Sequence, residues 1–236
     1  MVYYDIHTHQ SAVIENDIAI ISVDLRNMDM LPASLLTHSI ISKKSTTRNN
    51  KTNSRVEYYS VGIHPWYPDK SLMTKVCEYA KLDFVVAIGE TGLDKITANS
   101  TDGFKLQQEL FIEHIILSEK IKKPLIIHCI KAWGELLHIH KSTKPEMPWV
   151  VHGFRGKEIL ACQLLNAGMY LSFDSFHKAD SLKAAWEKRR LLAETDNSNT
   201  DIHNVYKHIS DTLDIPVEAL SNEIEAFFIP YISTID

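Results

Sequence analysis

Apolar positions along this chain follow two alternating rhythms. Short runs rich in β-branched and aromatic residues recur at 2–4, 18–23, 57–63, 84–88, 124–127, 149–151, 169–173 and 191–193. Runs of this kind predict strands. Between most of them lie stretches with helical spacing, at 71–81, 104–121, 132–140, 158–167 and 182–190. In the first, Leu72, Val76, Tyr79 and Ala80 fall on one side; in the second, Leu106, Leu110, Ile115 and Leu117 supply apolar positions. Gly168 fits a helix C-cap. The tail at 205–232 predicts two helices split at Pro216, a residue suited to the first helical position. The run at 84–88 is continuously apolar, as expected of a strand covered on both faces.

Strands alternating with helices predict a parallel sheet with right-handed crossovers. Eight such units in 236 residues match an α/β fold of the (β/α)8 TIM-barrel type, which typically takes about 250 residues. An open doubly wound sheet is the alternative. No repeat or low-complexity tract divides the chain, so residues 1–236 are expected to form a single domain. The pattern is poor from 24 to 60. Residues 31–41 fit a helix or a strand. Residues 42–55 fit a solvated loop, or a basic flap built from Lys43, Lys44, Arg48, Lys51 and Arg55 beside an anionic substrate.

Composition narrows the classes. At 44% hydrophobic and 23% charged, the chain can bury a sizeable core. No apolar run approaches the roughly 20 residues of a membrane-spanning helix, and the start lacks a basic segment followed by an apolar stretch. Cys77, Cys129 and Cys162 are odd in number and far apart, which fits reduced thiols in the cytoplasm. The net charge of −5 gives no global attraction to nucleic acid, so such a substrate would have to be gripped locally.

The candidate chemistry begins at Asp5-Ile6-His7-Thr8-His9. On a strand, His7 and His9 share one face, where two imidazoles can hold a divalent ion. Asp5 points the same way and could accept an imidazole N–H. Glu90, His128, His152 and Asp196 fall at the ends of four further predicted strands. That end of a barrel is where active sites are built. Singly, His128 could be a satisfied core histidine, Glu90 a solvated turn residue and Asp196 a helix cap. Convergence of five strand ends favours a site. Three features are discounted. His138 and His140 repeat the spacing on a helix, where positions two apart diverge. Cys129 faces away from His128, and Lys188-Arg189-Arg190 closes a helix and suits its dipole.

Six segments occur in a recognisable order: His7-Thr8-His9, Gly62-Ile63-His64-Pro65, Gly89-Glu90-Thr91-Gly92-Leu93-Asp94, residues 124–129, His152-Gly153-Phe154-Arg155-Gly156 and Glu194-Thr195-Asp196. Together with Gln107, Phe111 and Pro124, they resemble the TatD family of metal-dependent deoxyribonucleases in the amidohydrolase superfamily. The resemblance runs from residue 2 to about 197. It implies one divalent ion held by His7, His9, Glu90 and Asp196, and a second held by Glu90, His128 and His152, with Glu90 bridging. His64 would bind substrate phosphate. Zn, Mn, Mg and Fe are all compatible with such donors. A pair of ions about 3.5–4 Å apart lowers the pKa of a shared water and stabilises a displacement at phosphorus, and Asp196 could take the proton of the attacking water.

The outer positions depart from the family pattern. Ile130-Lys131 follows His128-Cys129 where an Arg is common. Asn197-Ser198-Asn199 replaces Pro-Tyr-Leu, Ser172-Phe173-Asp174 replaces Gly-Phe-Ser, and an Arg-Asn-Glu-Pro segment is missing. Arg155 or Lys131 could replace a lost phosphate-binding cation. The expectation is a phosphodiesterase acting on DNA. The alternatives are a superfamily hydrolase of a small amide, lactone or phosphate ester, and a non-catalytic scaffold. No membrane and no obligate protein partner is expected.

Overall fold

A computed structural model describes residues 1–10, 17–26 and 57–232. Within them, eight strands form one sheet in the order β1 to β8: Tyr4–Thr8, Ile18–Asp24, Glu57–Gly62, Val85–Asp94, Leu125–Ile130, Trp149–Val151, Tyr170–Phe173 and Leu191–Ala193. Every adjacent pair is parallel. The sheet closes through a parallel bridge between Thr8 and Asp196, where the Asp196 N–H donates to the His7 carbonyl (3.0 Å) and the His9 N–H to the Asp196 carbonyl (3.2 Å). The expected TIM barrel is therefore present. The readings at 31–41 and 42–55 lie outside the described residues.

Seven described helices surround the sheet: α1 Met73–Tyr79, α2 Thr101–Ile121, α3 Trp133–Thr143, α4 Glu158–Asn166, α5 Ala179–Glu187, α6 Ile202–Leu213 and α7 Val217–Ile232. Their ends follow local chemistry. Ser100 caps α2 by accepting the Gly103 N–H, and Asp201 caps α6 by accepting that of His203. Gly168 follows α4 with φ of +98°, as a C-terminal glycine does. Pro216 sits one position earlier than expected: its carbonyl accepts from Ala219 and Leu220, so it precedes α7 and does not begin it.

The core is continuous. Ile6, Val61, Ile88, Ile127, Val151, Leu171 and Leu192, from seven strands, are almost fully buried. Phe111 on α2 meets Trp149 on β6 edge-to-face at 5.3 Å. Such ring pairs contribute about 0.5–1.5 kcal/mol beyond their buried area.

Two strands run further than their apolar patterns suggest. β4 continues through Gly89 to Asp94, and β5 through His128 to Ile130. Glu90 and His128 thus lie inside strands and not at their ends. The reason is glycine. A Cβ on Gly89 would stand 2.4 Å from the Ile126 carbonyl oxygen, and one on Gly92 would stand 2.0 Å from that of His128. Both glycines have positive φ, +139° and +143°. The irregular register between Ile88 and Thr91 lets β4 press against β5 while carrying Glu90 into the mouth.

Candidate metal centre

Glu90 stands at the middle of the mouth and is 5% exposed. Its two oxygens face different partners. Oε2 lies 3.3 Å from His7 Nε2 and 3.7 Å from His9 Nε2. Oε1 lies 2.9 Å from His64 Nε2, 3.0 Å from His128 Nδ1 and 2.7 Å from His152 Nε2. Asp196 Oδ1 completes the first group, 3.7 Å from His7 Nε2 and 3.6 Å from His9 Nε2. All six expected ligands therefore meet at one mouth, and His64 joins them. Three overlapping sets of donors are close enough to share an ion: His7 with His152 and Asp196, His7 with His9 and Glu90, and His64 with Glu90 and His128.

The donors fit a divalent cation. His7 is fully buried and both its ring nitrogens lack a hydrogen-bond partner, although Nε2 faces two carboxylates. A buried, unmatched nitrogen of this kind is costly unless something binds it. Burial opposes the charge on Glu90, yet the imidazoles of His152, His128 and His64 hold its carboxyl well below the usual range. Burial likewise opposes a charge on His152, but Glu90 and Glu194 outweigh it and raise that imidazole well above its ordinary range.

Behind the candidate ligands stands a second row of carboxylates. Asp94 Oδ2 lies 3.2 Å from His128 Nε2. Glu194, fully buried, lies 3.4 Å from His152 Nδ1 and accepts the Gly153 N–H at 2.6 Å. Burial would raise Glu194, but the facing His152 holds it below its usual range. Carboxylates behind metal-binding imidazoles fix the ring and the tautomer. In the sequence Asp94 and Glu194 figure only as members of motifs, with no role of their own. The available signal was spacing: Asp94 follows Glu90 by four and Glu194 precedes Asp196 by two, so each pair shares a face of a regular strand.

Asp5 does something other than expected. Its carboxylate accepts the main-chain N–H of His7 (3.3 Å) and of Thr195 (3.1 Å), and the Thr195 hydroxyl (2.6 Å). No imidazole N–H reaches it among these contacts. Asp5 instead ties β8 to β1 one residue before Asp196. Burial, with Glu194 nearby, pushes its carboxyl up to about 8 against those hydrogen bonds.

The segment carrying His64 is braced from α2. The Ile63 N–H donates to His114 Nε2 at 3.0 Å, and His114 Nδ1 donates to the Leu110 carbonyl at 2.7 Å. Gln107 donates to the Pro65 carbonyl and accepts the Asp94 N–H, both at 2.8 Å. Buried polar side chains with both partners present favour one arrangement over others.

The mouth opens into a cleft of about 330 Å³ lined by His64, Trp66, Tyr67, Arg26 and five of the six expected ligands, all but His7. Arg26 is absent from the expected substrate-binding set. Its guanidinium lies 3.4 Å above the Tyr67 ring and is paired with Asp24. Arg155 and Lys131 are not among the described residues lining this cleft. Arg155 is ion-paired with Asp174 and lies over the Phe176 ring, and Lys131 is exposed at the end of β5. The discounted histidines are on α3, His138 exposed and His140 packed on Trp149. Cys129 is buried away from the cleft, its thiol pushed up to about 12 by burial.

A closed parallel barrel with imidazoles and carboxylates gathered at the C-terminal mouth has the build of a metal-dependent hydrolase. The family model described as TatD related DNase matches residues 4–228, and the chain belongs to that family. It is 39% identical over 147 residues to an uncharacterized metal-dependent hydrolase of Buchnera aphidicola, covering 58% of this chain and 55% of that protein. It is 35% identical to the uncharacterized metal-dependent hydrolase YcfH of Escherichia coli K12, covering 59% and 55%. The matched stretch thus spans about half the length of these relatives. A TatD homologue of E. coli K12, YJJV, has the same fold, with a TM-score of 0.75 at 19% identity over 98% of both chains. A TatD family hydrolase of Entamoeba histolytica gives 0.72 at 18%, again over 98% of both.

Proposed function

We propose that this protein is a phosphodiesterase acting on DNA through two divalent ions bridged by Glu90. The observation that carries this reading is the division of labour at Glu90. One oxygen addresses His7 and His9, the other His128 and His152, so a single carboxylate can serve two adjacent cations. Two such ions would supply an acidified water and offset charge on the attacking and leaving oxygens.

The protein side chains have separable tasks in this reading. His7, His9 and Asp196 would hold one ion, and His128 and His152 the other. Asp196, one-third exposed at the edge of the cluster, would take a proton from the attacking water. His64 donates from Nε2 to a phosphoryl oxygen. Trp66 and Tyr67, half-exposed in the cleft, would pack against the substrate. The three free thiols fit a cytoplasmic location. Among the described residues, no helix is long and apolar enough to cross a membrane. No protein partner enters this reading.

A second reading is a small-substrate hydrolase of the same superfamily. It is favoured by the modest cleft and by Arg26, the one cationic side chain among its described lining residues, being already paired with Asp24. A substrate panel separates the two. Labelled oligonucleotides, a phosphate monoester, a lactone and an amide would each be incubated with Mn²⁺ or with chelator. Chelator-sensitive cleavage of the oligonucleotide above all others supports the proposal. Turnover confined to a small substrate overturns it.

A further inference from the structure

Three imidazoles surround Glu90 Oε1 at nearly equal distances, and position alone would make all three metal ligands. Their second nitrogens distinguish them. The Trp66 main-chain N–H donates to His64 Nδ1 at 3.1 Å. A neutral imidazole accepting on Nδ1 carries its proton on Nε2, so the atom facing Glu90 is a donor without a lone pair for an ion. His128 receives the opposite instruction. Its Nε2 faces the Asp94 carboxylate, which leaves the lone pair on Nδ1 toward Glu90. The Trp66 indole Nε1–H donates to that same Asp94 oxygen at 2.7 Å. The other Asp94 oxygen accepts the main-chain N–H groups of Ile96 (2.8 Å) and Thr97 (3.1 Å).

We propose that Trp66 is a positioning residue that sorts these imidazoles, its main chain making His64 a donor to substrate and its indole, through Asp94, holding His128 as a metal ligand. The residue stands between them, its ring 4.9 Å from that of His64 and 5.8 Å from that of His128, both edge-on. Half of Trp66 is exposed to the cleft, so substrate packed on the indole would bear on the same contacts that hold Asp94. This inference rests on the two-ion centre proposed above, but not on DNA being the substrate.

The test reads tautomers and metal affinity directly. Long-range proton–nitrogen spectra of protein labelled at histidine nitrogen would be recorded with and without Zn²⁺, using His64→Gln and His128→Gln to assign the rings. His64 is expected to stay protonated on Nε2 in both states, and His128 to show a Zn²⁺-induced shift at Nδ1. Calorimetric Zn²⁺ titration of Trp66→Phe should show one of two binding events weakened about tenfold and the other unchanged; Asp94→Asn should weaken the same event ~10–100-fold, as loss of outer partners does. Trp66 is half-exposed, so the Phe variant should fold, which circular dichroism checks. A Zn²⁺-induced shift at His64 Nε2, or a Trp66→Phe protein with both affinities intact, overturns the proposal. A wild type that takes up fewer than two ions overturns the centre beneath it. Failure to cleave DNA, with these results as expected, overturns only the substrate reading.

Discussion

The Asp196 main-chain N–H donates to the His7 carbonyl at 3.0 Å, so the contact that closes the barrel also sets the His7 and Asp196 side chains together at its mouth. Asp196 reaches this place with φ of +51°, a left-handed conformation that Asp tolerates better than most side chains. Closure uses only its backbone, and Asn suits that conformation equally well. Asp196→Asn is therefore expected to keep its melting temperature within a few degrees while losing ~10²–10⁴-fold in turnover, as removal of a general base does. Paired melting and kinetic measurements check this. Wild-type turnover would remove Asp196 from the catalytic role.

Acid sensitivity should come in part from His114. Burial pushes this imidazole down to about 4, although its Nδ1–H bond to Leu110 works in the other direction. It is neutral in the folded protein and binds a proton near pH 6.5 when unfolded. The stability it contributes is complete above about pH 6.5. It declines as pH falls from there to about 4, by up to ~1.4 kcal/mol per unit. His114→Gln should be less stable at pH 7 and less dependent on pH across that window. Urea midpoints of both proteins from pH 4.5 to 7.5 measure the difference. Parallel curves would show that His114 does not titrate this way.

Two glycines make a contrasting pair. A Cβ on Gly92 would collide with the His128 carbonyl at 2.0 Å, whereas one on Gly168 would meet nothing within 4 Å. Both have positive φ, so each alanine pays a backbone cost of order 1–3 kcal/mol. Only Gly92→Ala must also push β4 and β5 apart. It should be insoluble, or lose several kcal/mol together with metal binding, while Gly168→Ala folds with a modest fall in melting temperature. Similar losses in the two would contradict the close approach of β4 to β5.

Most of the barrel is legible in the sequence, and so is the gathering of His7, His9, Glu90, His128, His152 and Asp196 at one mouth, because both depend on short-range periodicity. Apolar runs mark buried strands, and the candidate ligands follow those runs. The extent of β4 is not legible in the same way. Gly89 and Gly92 interrupt the apolar pattern at the point where the strand bulges, so the motif resembles a turn while continuing the ladder. The actual work of Asp5 also escaped, since its partner Thr195 is 190 positions distant. Arg26 went unnoticed because nothing local marks a guanidinium that matters through its stacking on Tyr67. Arg155 was a reasonable substitute for a missing cation, but its pairing with Asp174 is a tertiary fact. The role of His64 depends on which group meets its other nitrogen, which spacing does not reveal.

The central proposition is that Glu90 joins two ions, and counting them tests it. Metal-free wild type and Glu90→Gln would be equilibrated with Mn²⁺, freed of excess ion and analysed for metal per chain by mass spectrometry. Glu90→Gln keeps the size of the side chain and removes the charge both ions would share, so each should be weakened. The expected result is about two ions per wild-type chain and no more than one in Glu90→Gln, with both proteins folded. A wild type holding a single ion, or a Glu90→Gln protein that still holds two, would contradict the bridged centre.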